Sequence, residues 1–225
     1  MNLNKNISNK FEEAGYLVVR NLFSRKEIKK ILNEIKIVKS KISNQKNQYF
    51  HKTADGKINT IHNLQLIFKK NYFNKIAKCK KITKIVNLLL KDKSIPRNIE
   101  FFLKPNRTGL KAPYHQDNYY WNIENSKGLN VWIACSKSSI KNGGVIYLEG
   151  SQKLGTIEHE ISYLPGSSQK INQSILNKLK FKKKCPDLNP GDCIFHHCEI
   201  IHGSKSNNSN SERIGLVISY KTTKS

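Results

Sequence analysis

His115 and Asp117 stand two positions apart in Tyr114-His115-Gln116-Asp117-Asn118, His202 follows in Ile201-His202-Gly203-Ser204, and Arg213 comes soon after it. Two imidazoles and one carboxylate can occupy one face of a ferrous ion and leave the opposite face open, which is how non-haem iron oxygenases hold their metal. An arginine just beyond suits a co-substrate that carries a carboxylate, because a planar guanidinium can donate two parallel hydrogen bonds to it. A His-x-Asp pair alone carries little information. His196 and His197 are alternative donors, although alternation along a strand turns at most one of them inward, and the position relative to Gly203-Ser204 and Arg213 favours His202. Cys193 and Cys198 are soft donors close by in sequence, but a free cysteine more often acts as a small buried hydrophobe.

The order of these residues relative to the elements around them gives the set its weight. His115-x-Asp117 follows the β-rich run Ile99-Glu100-Phe101-Phe102-Leu103, and His202 lies between Asp192-Cys193-Ile194-Phe195-His196 and Ile214-Gly215-Leu216-Val217-Ile218-Ser219-Tyr220. Donors distant in sequence but carried on strands can converge on a rigid site. Further runs at Leu129 to Cys135 and Val145 to Leu148, separated by turn residues, complete the texture of a double-sheet jelly roll. The earlier part reads as mainly helical. Ser24-Arg25-Lys26-Glu27 has the pattern of a capping box, and Ile28, Ile31, Leu32, Ile35 and Val38 recur at helical spacing. A second helical pattern runs from about Phe73 through Ile76, Ala77, Ile82, Ile85 and Val86 to Leu89, with Pro96 limiting its extension. The expected fold is mainly β with flanking helices: one domain over 1–225, with 1–97 as helical support and 98–221 as a jelly-roll core that carries the metal site. The polar Lys205 to Ser211 segment reads as the loop joining the His202 strand to the Arg213 strand.

Three segments carry a resemblance: Ala112-Pro113-Tyr114-His115-Gln116-Asp117, Asn142-Gly143-Gly144-Val145-Ile146-Tyr147-Leu148-Glu149-Gly150-Ser151, and Pro190-Gly191-Asp192 through Ile201-His202-Gly203-Ser204 to Glu212-Arg213. Together with Gly15-Tyr16-Leu17-Val18-Val19, they resemble the phytanoyl-CoA dioxygenase family. That resemblance implies a double-stranded β-helix of the cupin-like type, and iron(II), 2-oxoglutarate and dioxygen as cofactor and co-substrates. It makes His115, Asp117 and His202 the iron ligands and Arg213 the partner of the distal 2-oxoglutarate carboxylate, with Gln116, Trp132 and Ser204 as further co-substrate contacts. It also implies hydroxylation of a small molecule with release of succinate and carbon dioxide. Because Asp117 fills the coordination position a halide would need, hydroxylation is expected over halogenation. One departure stands out: Glu149-Gly150-Ser151-Gln152 replaces the family's frequent Pro-Gly-Ser-His, a change expected to alter local hydrogen bonding or substrate choice more than iron binding. Trp132 also reads as an ordinary core aromatic. Tyr114, Tyr119, Tyr120 and Trp121 could wall a substrate or pack beneath the loop, and His159 with the 162–170 segment could line the mouth or form a lid.

Composition bounds the rest. A net charge of +24 invites a nucleic-acid reading. However, 35 of the 40 basic residues are lysine, and 26 Asn and 27 Ile accompany them, as A/T-rich codons would produce. Arginine is the better reader of phosphates and bases, and there are only five. The alternative function is a catalytically silent jelly-roll protein that binds an anionic ligand or nucleic acid. Five scattered cysteines without paired spacing suit reduced thiols. No apolar run reaches the roughly 20 residues of a spanning helix, and Met1 to Asn6 lacks the features of a signal peptide, so a cytoplasmic protein without a membrane partner is expected.

Overall fold

A computed structural model describes residues 3–42, 49–67, 72–164 and 167–224. The chain begins with α1 (Leu3–Ala14), β1 (Tyr16–Val19) and α2 (Arg25–Ile42), followed by β2 (Phe50–Lys52), β3 (Ile58–Ile61), α3 (Leu64–Ile67), α4 (Tyr72–Ala77) and α5 (Lys80–Leu90). It continues with β4 (Ser94–Lys104), β5 (Ala112–His115), α6 (Asp117–Trp121), β6 (Gly128–Ala134), β7 (Val145–Leu148), β8 (His159–Leu164) and β9 (Ser167–Ile171). Last come α7 (Gln173–Lys178), β10 (Lys183–Lys184), β11 (Cys193–His197), β12 (His202–Ser204) and β13 (Arg213–Thr222). Seven strands form a larger antiparallel sheet in the order β1-β11-β6-β13-β4-β3-β2, and four form a smaller one in the order β10-β7-β12-β5. β8 and β9 pair as a separate hairpin. This is the expected β architecture with flanking helices.

Strict alternation explains why the long strands are buried on both faces. On β6, Leu129, Val131 and Ile133 join the core beneath the helices, while Trp132 and Ala134 turn into the space between the sheets. β11 and β13 divide in the same way, with Phe195, Leu216 and Ile218 outward and Ile194 and Val217 inward. Each fully buried aliphatic side chain contributes about 1.5–3 kcal/mol, so the helical layer is what allows the larger sheet to be apolar on both faces.

The capping box of α2 forms: Ser24 N–H donates to Glu27 Oε2 at 2.8 Å, and Glu27 N–H to Ser24 Oγ at 3.3 Å. Ile28, Ile31, Ile35 and Val38 bury as the periodicity requires, and Leu32 lies at the edge. The second helical pattern, however, breaks into α4 and α5 at Lys78-Cys79. Tyr220 O–H captures the Ala77 carbonyl at 2.7 Å, and Cys79 is extended. Pro96 does not merely stop a helix but lies inside β4, opposite Tyr220 at an irregularity in the register. β3 pairs only with Phe101 and Phe102 farther along, so the proline removes no bond on that edge. The first part of the chain is less purely helical than expected, since β2 and β3 as well as β1 join the larger sheet. In the 162–170 segment, Pro165 and Gly166 lie outside the described residues, as does Met1 in the N-terminal segment.

Candidate active site

His115 ends β5 and His202 begins β12, and the two are direct partners across the antiparallel pair. Each ring is fixed from behind. His115 Nδ1 bonds to the Pro113 carbonyl at 2.8 Å and His202 Nδ1 to the Ile200 carbonyl at 3.0 Å. A carbonyl can only accept, so Nδ1 carries the hydrogen and Nε2 presents its lone pair. Both Nε2 atoms lie 3.8 Å from Asp117 Oδ1. The three donor atoms fall within 4.8 Å of one another, as ligands around one ion must.

The carboxylate is held by its other oxygen. Asp117 Oδ2 accepts from Asn130 Nδ2 at 2.8 Å and from His196 Nε2 at 3.1 Å, and His196 Nδ1 bonds to the buried Tyr147 hydroxyl at 3.0 Å. His196 is thus the inward member of the His196-His197 pair, but it orients Asp117 and lies outside the three-donor cluster. Burial alone would raise the Asp117 pKa; the surrounding His202, His196 and His115 imidazoles outweigh it and hold the carboxyl well below its usual range. Burial, reinforced by neighbouring His202, lowers His115 to about 4, and burial also lowers His202. At neutral pH the cluster is therefore two neutral imidazoles and a carboxylate, the deprotonated set that a metal requires.

Asp117 opens the one-turn helix α6, which rests on a buried polar network. Asn118 donates through Nδ2 to Glu199 Oε1 at 2.7 Å and accepts the Ile123 N–H at 2.9 Å. Glu199 also accepts from Ser126 Oγ at 2.5 Å and Thr156 Oγ1 at 2.7 Å. Gln116 belongs to this scaffold, and here the expectation of a co-substrate contact is corrected. Its Nε2 donates to the Gly155 and Glu199 carbonyls, both at 2.7 Å, and its Oε1 accepts from Ile157 N–H at 2.8 Å. The fully buried amide is used up behind the cleft.

Arg213 and Lys104 face the donors from the larger sheet as register partners on β13 and β4. Arg213 is 2% exposed, its guanidinium carbon lies 5.3 Å from the Trp132 ring centroid, and its Nε and Nη1 find no hydrogen-bond partner among the described residues. Lys104, 4% exposed, donates from Nζ to Ser204 Oγ at 2.8 Å and to the Lys205 carbonyl at 2.5 Å. Burial lowers Arg213 to about 10; burial and the nearby Arg213 charge lower Lys104 to about 6. Neither has a carboxylate within ion-pair distance among the described residues. Buried cations without a counterion are costly, and an anionic ligand removes the cost. The cleft they share with the donors includes Trp132 and Ser204 in its wall. Neutral Nε2 donors, an oriented carboxylate and an orphaned guanidinium fit ferrous iron and a dicarboxylate.

The remaining candidates divide. Tyr120 and Trp121 line the outer cleft, whereas Tyr119 stacks on His159 at 4.1 Å and Tyr114 packs with a separate apolar cluster. His159 sits behind the site, where it accepts the Gln116 N–H at 3.0 Å. Cys193 is in the core and the Cys198 thiol donates to the Ser126 carbonyl, so neither joins the donor cluster. Gln152 reaches back to the Glu12 carbonyl at 2.8 Å, while Ser151 Oγ accepts the Ile201 N–H at 2.8 Å and steadies the residue before His202. Sequence reasoning missed Lys104, Asn130 and the orienting role of His196. Lys104 follows the alternation of Glu100 and Phe102 toward the cleft, a signal present in the sequence but shared with many other lysines.

Fold and site together define an iron(II)- and 2-oxoglutarate-dependent dioxygenase. The sequence profile of the phytanoyl-CoA dioxygenase family (PhyH) matches residues 11–215, and the chain belongs to that family. It is similar to a probable alpha-ketoglutarate-dependent hypophosphite dioxygenase of Stutzerimonas stutzeri, at 24% identity over 92% of this chain and 75% of that protein. An ectoine dioxygenase of Stutzerimonas stutzeri shares 25% identity over 94% of this chain and 74% of its own length. Among solved structures, EctD from S. alaskensis with 2-oxoglutarate and 5-hydroxyectoine superposes with a TM-score of 0.82 at 17% identity, covering 100% of this chain and 77% of that one. The carbocyclase SnoK from nogalamycin biosynthesis gives 0.80 at 19% identity, covering 98% and 85%.

Proposed function

We propose that the chain hydroxylates a small molecule, with His115, Asp117 and His202 as the iron ligands and Arg213 as the anchor of the distal carboxylate of 2-oxoglutarate. The observation that carries this reading is the pairing, in one cleft, of a three-donor His-Asp-His cluster with a buried guanidinium whose Nε and Nη1 have no hydrogen-bond partner among the described residues. When bound, iron with 2-oxoglutarate and dioxygen supplies the oxidising power, and succinate and carbon dioxide leave. The chain's own work is positional. Asn130 and His196 fix the Asp117 plane, the Pro113 and Ile200 carbonyls fix the two imidazoles, and Trp132 backs Arg213 and keeps water from its face. Lys104 and Ser204 add donors at the carboxylate end. With Asp117 filling one coordination position, hydroxylation is favoured over halogenation. The described residues act as one dioxygenase unit, in which strands from both parts of the chain build the larger sheet. Five free cysteines support a reducing, cytoplasmic setting, and among the described residues no helix is long and apolar enough to cross a membrane.

Anaerobic titration with ferrous iron and then 2-oxoglutarate, followed by aerobic succinate measurement, tests this reading. The expected result is a visible charge-transfer band and slow succinate release even without substrate. Protein that binds no ferrous iron and forms no succinate would be a silent member of the fold.

A further inference from the structure

Beyond the donor cluster the cleft widens into an outer chamber that borders His115 and Asp117. One wall is the cleft-facing edge of β4, where Ile99, Phe101 and Leu103 turn into the helical core and Glu100, Phe102 and Lys104 turn into the cleft. Glu100 stands where the inner and outer spaces meet. One of its carboxylate oxygens bonds to His62 Nδ1 at 2.8 Å, and His62 is braced edge-on by Phe102 at 5.9 Å. Arg97, on the same strand, lies across Trp121 with its guanidinium carbon 5.4 Å from the ring centroid, next to the Asn98 amide. No carboxylate lies within ion-pair distance of Arg97 among the described residues, although Glu100 and Asp117 are near enough to favour its charge against the opposing effect of burial.

These groups recognise complementary chemistry. A half-buried guanidinium beside an indole has its planar N–H fork backed on one side by the ring, and such a fork suits bidentate capture of a carboxylate. Glu100 on the same wall repels a second anion and accepts from an ammonium or a hydroxyl. We propose that the outer chamber binds a small carboxylic acid with an amine or hydroxyl on the neighbouring carbon, its carboxylate on Arg97 and its donor group on Glu100, so that its carbon skeleton reaches toward His115 and Asp117. This rests on the reading of His115, Asp117 and His202 as the iron site.

The test uses anaerobic protein loaded with ferrous iron and 2-oxoglutarate, titrated with the L-amino acids and with the corresponding L-2-hydroxy acids. Methyl esters and N-acetyl derivatives serve as controls, and the charge-transfer band is the readout. At least one free acid is expected to shift the band, with its ester weaker by tenfold or more, and the responding arm identifies the donor as amine or hydroxyl. Arg97→Met should weaken that acid tenfold or more and leave 2-oxoglutarate affinity unchanged; Glu100→Gln should weaken an amine-bearing ligand more than a hydroxyl-bearing one. Circular dichroism and thermal melts confirm that both variants fold. Esters that bind as well as acids, an Arg97→Met variant with unaltered binding, or the silence of every free acid overturns the proposal. If wild-type protein forms no band with iron and 2-oxoglutarate, the iron reading itself fails and takes this inference with it, so the two failures are distinguishable.

Discussion

Arg213 and Lys104 sit side by side in one cleft, yet they should respond differently to substitution. Arg213→Ala leaves a desolvated carboxylate without its fork, and charge-assisted hydrogen bonds are worth about 1.5–3 kcal/mol, so 2-oxoglutarate should weaken by roughly tenfold or more. Arg213→Lys should recover only part, since it keeps the charge and loses the plane. Iron affinity should hold in both variants; anaerobic titration reads both quantities. Lys104→Met should weaken 2-oxoglutarate less, because Lys104 already spends donors on Ser204 and Lys205, yet it should alter the pH dependence of the ligand-free protein. A lysine whose folded pKa is lowered to about 6 costs stability in full below that pH, and less as pH climbs toward its ordinary value. The melting temperature of Lys104→Met relative to wild type should therefore be most favourable near pH 6 and lose ground toward pH 9; a pH-independent difference would contradict the assignment. The His115, Asp117, His202 and Arg213 set was legible in the sequence because residue type, spacing and surrounding strand texture all agree. Lys104 was not, being one lysine among 35, and the His196 contact to Asp117 depends on two distant elements meeting, which no local pattern records.

At the scale of elements, β13 passes β6 with little room to spare. A Cβ at Gly215 would lie 2.3 Å from the Trp132 ring, so the strand can pass behind the tryptophan only without a side chain. Gly215→Ala should cost about 1–3 kcal/mol, as overpacking does, and should also weaken 2-oxoglutarate by disturbing the ring behind Arg213. Denaturant melts and the same titration measure this; a neutral variant would mean that the ring has room to move. Periodicity identified the long strands and α2 because each presents a clean apolar face. It overran the break between α4 and α5, where Tyr220 takes a carbonyl that only the folded chain brings near. It also missed β2, β3 and β5, each of three or four residues, and the β8-β9 hairpin.

For the whole molecule, 40 basic side chains outnumber 16 acidic ones. Nonspecific DNA affinity should be weak and fall steeply with salt, as lysine contacts to phosphate do; sequence-selective binding that survives high salt would contradict this. The same potential draws anions toward the cleft and fades within a Debye length of about 8 Å at physiological ionic strength.

The partnership of His115 with His202 across β5 and β12 has a mechanical side. The two strands have four and three residues, with a register shift between His202 and Ser204, so few ladder bonds join them. An ion held by both rings would act as a clasp, and its binding energy would add to the cohesion of the smaller sheet. Chelation should then speed amide hydrogen exchange in β5 and β12 while β6, β11 and β13, buried between helices and the opposing sheet, keep their protection. Uniform acceleration would instead mean that both sheets open as one, and that the catalytic ion helps to hold the entire fold.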